Sequence, residues 1–222
     1  MNITLKLRKW QSEAIERSKR STYGIFLEAL GGRGKTICAL AIAKQKNAKK
    51  IIITNNRLSI LEGWKEAIEK MNFDSDVEFV ISTDRSIQNM LKKGSKFNCD
   101  VLIIDEWQNM SSEKQVALYR RIKRKYTIGL SATPIRKKGQ NFYPLEKTIF
   151  GFANPNNKFD WQKVHGRMVY DPFTYSKEKW EDFRDYERYV NNLPNFFRWE
   201  EIEEIENAVE NNGYEIKFYP VT

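Results

Sequence analysis

The chain has 222 residues, 41% hydrophobic and 13% aromatic, with a formal net charge of +9. That length suits one full core with an appendage, and two complete domains would each be small. No apolar run is long enough to span a bilayer, and the opening MNITLKLRKW is charged where a signal peptide would be apolar, so an intracellular protein is expected.

A helix is predicted over 10–20. Five short apolar runs follow, at 24–29 (GIFLEA), 50–54 (KIIIT), 77–83 (VEFVIST), 101–105 (VLIID) and 126–131 (YTIGLS). Each is nearly continuous in apolar character and ends in small or polar residues, as strands buried on both faces of a parallel sheet do. Helical patterns fall between them at 36–46, 58–71, 86–93 and 112–123. Strand and helix in alternation argue for a three-layer α/β domain with a mostly parallel sheet over residues 1–150. Beyond residue 150, GFANPNNKFDW reads as a loop, and SKEKWEDFRDYERYV sets Trp180, Phe183, Tyr186 and Val190 close to helical spacing. Those side chains suit either stacking on nucleic-acid bases or the apolar face of a helix. The acidic residues between them favour a helix packed on the main domain. An acidic helix over 198–210 and an alternating, strand-like ending extend a small helical appendage over 151–222.

Charge follows the same division. After residue 150, 9 Lys and Arg stand against 14 Asp and Glu, so the cationic excess lies in the first 150 residues. A basic body suits a polyanion, or is a well-solvated surface. Cys38 and Cys99 sit in apolar patterns without metal-ligand neighbours and read as buried free thiols.

LGGRGKTICAL, residues 30–40, joins the first strand to the next helix. Gly31, Gly32 and Gly34, with Arg33 among them, let backbone N–H groups turn inward around phosphates. The helix N-terminus adds positive potential. Lys35 is placed to reach the β- and γ-phosphates, and the Thr36 hydroxyl to ligate Mg²⁺. Strand, loop and helix in this order favour nucleotide binding over a structural turn. In VLIIDEWQNM a hydrophobic strand delivers Asp105 and Glu106 at its carboxyl end, where ligands of open α/β sheets gather. Asp105 would hold Mg²⁺ through water, and Glu106 would activate the attacking water as general base. Alone, two adjacent acids also fit a solvated turn. GLSATP brings Ser131, Ala132 and Thr133 to the end of the last strand, where the hydroxyls can bond across to the acid pair.

In order and spacing, LRKWQSEAI, ALGGRGKT, DEWQ and SATP resemble the first RecA-like motor domain of superfamily 2 helicases and translocases, over roughly residues 5–160. IIITNNRLSILEGWKEAI is similar to motif Ia, with Leu58 and Trp64 in the Swi/Snf-type pattern. SATPIRKKGQNFYPLEKTIFGFANP is similar to the Swi/Snf-type passage after motif III. The resemblance implies a RecA-like fold, ATP and Mg²⁺ as cofactors, and a nucleic-acid-dependent ATPase that tracks duplex DNA without parting its strands. It implies that Gln11 reads adenine and that Thr54, Asn55, Arg57, Ser82 and Thr83 touch the tracked strand. Gln108 stands where His is usual and can couple the acids to Ser131–Thr133 by hydrogen bonding; Trp107 replaces the usual Ala. The resemblance further implies a second RecA-like domain, in a longer polypeptide or on a partner chain, supplying an arginine finger. The roughly 70 residues after Phe150 are too few to form it, so the chain alone is expected to be a weak or inactive ATPase.

Two basic clusters bracket the last strand: RRIKRK at 120–125, and Arg136, Lys137 and Lys138. Contact with a phosphate backbone and a solvated helix end both fit the first. QKVHGR, 162–167, echoes the finger motif but follows motif III too soon to serve, and His165 reads as a surface residue. Two rival functions stay open. One is a non-hydrolysing ATP- or nucleic-acid-binding module. The other is a stand-alone P-loop kinase, which leaves SATP and Gln11 unexplained.

Overall fold

The computed structural model describes residues 6–109, 113–133, 139, 142–151, 153–193 and 195–198. The alternation expected of the first 150 residues is present. Helix α1 (Lys9–Lys19) precedes β1 (Gly24–Glu28), and α2 (Lys35–Gln45), β2 (Lys50–Asn55), α3 (Ser59–Met71) and β3 (Glu78–Thr83) follow. Then come α4 (Asp84–Lys92), β4 (Asn98–Ile104), α5 (Glu113–Tyr119) and β5 (Lys123–Ser131). These strands pair in the order β3-β2-β4-β5-β1, every neighbour parallel. The carboxyl ends of β1, β4 and β5 therefore share one edge of the sheet.

Alternation along the strands sorts the apolar runs onto two faces. Ile25, Leu27, Ile51, Ile53, Val101 and Ile103 meet Trp10, Leu40 and Trp64 from α1, α2 and α3. Phe26, Ile52, Leu102 and Ile104 meet Ile87, Leu91, Val116 and Tyr119 from α4 and α5. Each fully buried Ile or Leu contributes about 1.5–3 kcal/mol, which is why both faces of every central strand are apolar. Cys38 and Cys99 are buried thiols, as expected, and burial pushes each up to about 12. Among the described residues no helix is long and apolar enough to cross a membrane.

The 120–125 cluster differs from expectation. Helix α5 stops at Tyr119 and β5 already begins at Lys123. Arg124 supports this change of element: its guanidinium donates to Tyr119 O at 2.9 Å and Ile122 O at 3.0 Å, carbonyls that a longer helix would have paired, and to Thr148 O at 2.9 Å on the π turn. Lys125 pairs with Asp100 at 2.7 Å. The cluster lies at the amino ends of the strands, opposite the edge that carries Asp105.

After Gly139 come α6 (Phe142–Leu145), which runs on as a π-helical turn Glu146–Phe150, then α7 (Lys158–His165), β6 (Gly166–Tyr170), β7 (Glu178–Phe183), α8 (Tyr186–Asn191) and β8 (Phe196–Arg198). The appendage is therefore not wholly helical. The single helix expected around Trp180–Val190 is a strand followed by a helix, and β6 and β7 form an antiparallel hairpin. The packing expectation holds nonetheless. Trp180 stacks on Trp161 at 5.5 Å, Phe183 meets Phe142 edge-on at 5.5 Å, and Val190 is buried. The spacing mimics a helix because two elements, not one, deliver the rings to a common core.

A second correction is β8. No buried strand was expected here, yet Phe196 and Phe197 pair parallel with Phe26 and Leu27 and extend the sheet to six strands. Phe196 stacks on Phe26 at 5.1 Å, and Arg198 pairs with Glu28 at 2.8 Å. The acidic helix and strand-like ending expected beyond residue 198 lie outside the described residues. His165, expected at the surface, is half-buried there: Nε2 is 2.8 Å from Asn154 O and the ring lies 4.9 Å from Tyr189. Beside it, buried Glu146 accepts from Trp161 Nε1 at 2.8 Å and from the Tyr189 hydroxyl, fastening α7 and α8 to the π turn.

Candidate active site

The loop between β1 and α2 is built by its glycines. Gly32 and Gly34 have φ of +73° and +85°, in the left-handed region that a side chain resists. A Cβ at Gly34 would sit 2.7 Å from Gln11 Nε2, the atom that donates to Gly34 O at 2.9 Å. Gln11 Oε1 accepts from Arg8 N at 2.8 Å, so one amide pins the start of α1 to the loop. Nothing lies within 4 Å of where a Cβ would stand at Gly31 or Gly32, so that part of the loop is an open backbone cradle. Arg33 and Thr36 are half-buried at its rim. Lys35 Nζ crosses the loop to Ala29 O at 2.5 Å and Leu30 O at 2.9 Å. Burial lowers its pKa, and the charges of Glu106 and Asp105 oppose that fall. Loop, lysine and acid pair thus form one electrostatic site.

The acids turn sharply off β4. Glu106 has φ of +50°, an uncommon conformation for a residue with a side chain and one that gathers at functional turns. This turn drives Trp107 inward, fully buried and edge-on to Phe26 at 6.1 Å. That accounts for the departure from Ala: the third position of the acid box plugs the core. Asp105 is held by three donors, with Oδ2 accepting from Asn55 Nδ2 at 2.8 Å and Trp64 Nε1 at 3.0 Å, and Oδ1 from Glu106 N at 2.9 Å. Burial raises its pKa and these bonds hold the rise back.

Gln108 spans the acid pair and the end of β5. Its amide donates to Glu106 Oε2, and its carbonyl accepts from Ser131 Oγ at 2.5 Å; Ser131 Oγ in turn accepts from Thr133 N at 3.0 Å. Ala132 is half-buried and Thr133 exposed. The bonding anticipated between Gln108 and the SAT segment is present.

The residues expected to touch nucleic acid divide. Thr54 and Asn55 are fully buried, and Asn55 spends its amide on Asp105 and on Arg57 N at 2.8 Å, so neither side chain is offered to a polymer. Arg57 is exposed. Ser82 is half-buried at the end of β3, where Thr83 caps α4 by accepting from Ser86 N at 3.2 Å. Arg136, Lys137 and Lys138 lie outside the described residues. Sequence reasoning placed Trp64 in motif Ia and missed its bond to Asp105. Helical spacing puts Trp64 on the buried face of α3, yet nothing in that spacing aims an indole N–H.

The hydroxyl of Thr36 and the two carboxylates are hard oxygen donors of the kind Mg²⁺ takes, with phosphate and water completing the shell. Among the described residues no three His, Cys, Asp or Glu side chains gather as a metal cage, which such a shared Mg²⁺ site does not need.

Residues 4–136 match the family of the type III restriction enzyme, res subunit. The chain is 29% identical over 153 residues to the DNA 3'-5' translocase XPB2 of Sulfurisphaera tokodaii, covering 64% of this chain and 34% of that protein. It is 35% identical over 92 residues to transcript termination protein A18 of Yaba-like disease virus, covering 41% of this chain and 18% of that one. Among solved structures, the SWI2/SNF2 ATPase core of Sulfolobus solfataricus in complex with dsDNA superposes with a TM-score of 0.65 at 21% identity, over 92% of this chain and 46% of that one. The chain thus spans about a third of the length of that translocase and about half of that ATPase core.

Proposed function

The chain belongs to the family of the type III restriction enzyme res subunit and carries the first RecA-like domain of superfamily 2 helicases and translocases, and from that premise we propose that it binds ATP with Mg²⁺ and hydrolyses it in response to duplex DNA. The observation that carries this reading is the bonded row Glu106–Gln108–Ser131, which ties an acid pair beside Lys35 to the end of the neighbouring strand. A nucleotide-binding turn alone has no use for such a row.

In this reading the backbone N–H groups from Gly31 to Lys35, Arg33 included, receive the phosphate chain. Lys35 exchanges its two loop carbonyls for β- and γ-phosphate oxygens. Gln11, already bonded to Gly34, keeps one N–H and one lone pair for the adenine edge. Thr36 and Asp105 would hold Mg²⁺, which supplies charge neutralisation at the phosphates. Glu106, oriented by the Gln108 amide, accepts the proton of the attacking water. Ser131 and Thr133 relay the position of that amide to the edge where Arg57, Ser82 and Thr83 would meet the DNA backbone, and by their charge Arg136, Lys137 and Lys138 are proposed as further backbone contacts. A second RecA-like unit, in the same polypeptide or on a partner chain, would bring the arginine that stabilises the transferring phosphoryl group. Residues 1–150 would form the ATP-binding unit, and 151–222 an appendage and the linker towards the second RecA-like unit.

The test is ATP hydrolysis by this chain with and without duplex DNA, beside Lys35→Ala and Glu106→Gln, with nucleotide affinity measured in parallel. Binding lost in Lys35→Ala but kept in Glu106→Gln, with any DNA-stimulated turnover absent from both, supports the reading. Nucleotide binding indifferent to Lys35→Ala overturns it.

A further inference from the structure

We propose that Asn55 and Trp64 are positioning residues that couple the exposed turn at Arg57 to the Asp105 carboxylate, so that duplex DNA at that turn changes the grip on Mg²⁺-nucleotide. The inference rests on the nucleotide and DNA reading above. Asn55 is fully buried and works at both ends: Oδ1 accepts from Arg57 N at 2.8 Å, while Nδ2 donates to Asp105 Oδ2 at 2.8 Å. Trp64, in the second turn of α3 and 1% exposed, donates Nε1 to that same oxygen at 3.0 Å.

Both donors of α3 and its entry turn converge on Oδ2, leaving Oδ1 with one donor among the described residues, Glu106 N. Oδ1 is therefore the oxygen with capacity left for a ligand. Arg57 is the hinge of the arrangement. Its N–H is held by Asn55, its carbonyl accepts from Ile60 N at 3.4 Å as α3 begins, and its side chain is exposed. A polymer that draws Arg57 outward pulls on Asn55 and on the first turn of α3 together. Buried in a close-packed layer, neither donor can move without turning the carboxylate. Both donors are neutral, so they steer Asp105 without altering the charge of the acid pair.

The experiment measures affinity for a fluorescent Mg²⁺-ATP analogue with and without saturating duplex DNA, and affinity for DNA alone by anisotropy. Three chains are compared: wild type, Trp64→Phe, which keeps a ring and removes the N–H, and Asn55→Thr. The threonine hydroxyl can still accept from Arg57 N but is too short to reach Asp105. Wild type is expected to show a DNA-dependent change in nucleotide affinity of about fivefold or more, within the usual range of coupling between sites. Each variant is expected to bring that ratio close to one, with affinity for DNA alone kept within about twofold and the folded near-UV signal retained. A wild-type ratio of one in a chain that binds both ligands overturns the inference and leaves the proposed function standing. So does either folded variant with the wild-type ratio. Failure of wild type to bind nucleotide at all overturns both. Should Trp64→Phe not fold, Asn55→Thr decides.

Discussion

Ser131 donates its hydroxyl to Gln108 Oε1 at 2.5 Å while the Gln108 amide donates to Glu106, so one side chain joins the ends of β4 and β5. Both Gln108 and Ser131 are buried. Removing the hydroxyl strands the amide oxygen in a dry site, at a cost of about 1–3 kcal/mol, and frees Gln108 to swing off Glu106. Ser131→Ala is therefore expected to lower turnover by about 10- to 100-fold with nucleotide affinity little changed. Steady-state kinetics checks this. A raised KM at unchanged kcat would instead place Ser131 in ground-state binding.

The phosphate loop makes a sharper prediction at Gly34. Its φ of +85° and the 2.7 Å approach of Gln11 Nε2 leave no room for a methyl group. Gly34→Ala incurs about 1–2 kcal/mol of backbone strain and displaces the Gln11 amide. Affinity for a fluorescent ATP analogue is expected to fall by about tenfold or more, while the melting temperature drops only a few degrees. Gln11→Ala is expected to cost much less in the Gly34→Ala background than in wild type, since the two residues share one bond.

What was legible in the sequence, and what was not, follows from the range of the forces involved. Strands β1, β2, β4 and β5 stood out because burial on both faces writes an unbroken apolar run, whereas β3, at the edge of the sheet, is only half-buried along most of its length. The loop stood out because glycine at Gly32 and Gly34 answers a local backbone need. Arg124 misled because its bonds reach Thr148 on a distant element, and that partnership lets a cation sit inside a strand. The hairpin misled because Trp180 and Phe183 answer to Trp161 and Phe142 rather than to a helical period. Only three residues of β8 pair, too few for alternation to register. At the site, the acids and Gln108 were readable by type, whereas Trp64 and Asn55 act on Asp105 through directions that only the folded chain sets.

Glu146 predicts a pH dependence of stability. Burial raises its pKa above the usual 4.5, and the bonds from Tyr189 and Trp161 counter only part of that rise. A carboxyl with a raised folded pKa contributes stability that is fully present below about pH 4.5 and is lost as pH rises through the folded value. Glu146→Gln keeps an acceptor for Trp161 and Tyr189 without the charge. The melting temperature of the variant relative to wild type is therefore expected to climb as pH rises from about 4.5 through the folded pKa, and to level off above it. A difference that stays flat across this window, measured by thermal denaturation, would contradict the burial argument. Glu146→Ala is expected to be destabilised at every pH, because it leaves two donors unpaired in the core.

Strand β8 is where the appendage becomes part of the main sheet, and two substitutions separate its apolar from its ionic contribution. Phe196 is 3% exposed, stacked on Phe26 at 5.1 Å and 5.9 Å from Phe142. Phe196→Ala removes a ring shared by the sheet and the aromatic core, at about 3–5 kcal/mol. Arg198 pairs with Glu28 at 2.8 Å and with the exposed Glu187 at 2.7 Å, and its own side chain is 19% exposed, so solvent screens part of the attraction. Arg198→Ala is expected to cost about 1 kcal/mol. At roughly 2–4 °C per kcal/mol for a chain of this size, the first variant should lose about 6–20 °C and the second only a few. Limited proteolysis is expected to cut Phe196→Ala after α8 well before it cuts wild type. If Arg198→Ala melts as low as Phe196→Ala, the ion pair rather than the stacked rings holds β8 to β1. If neither variant shifts the transition, β8 adds nothing to the stability of the sheet it borders.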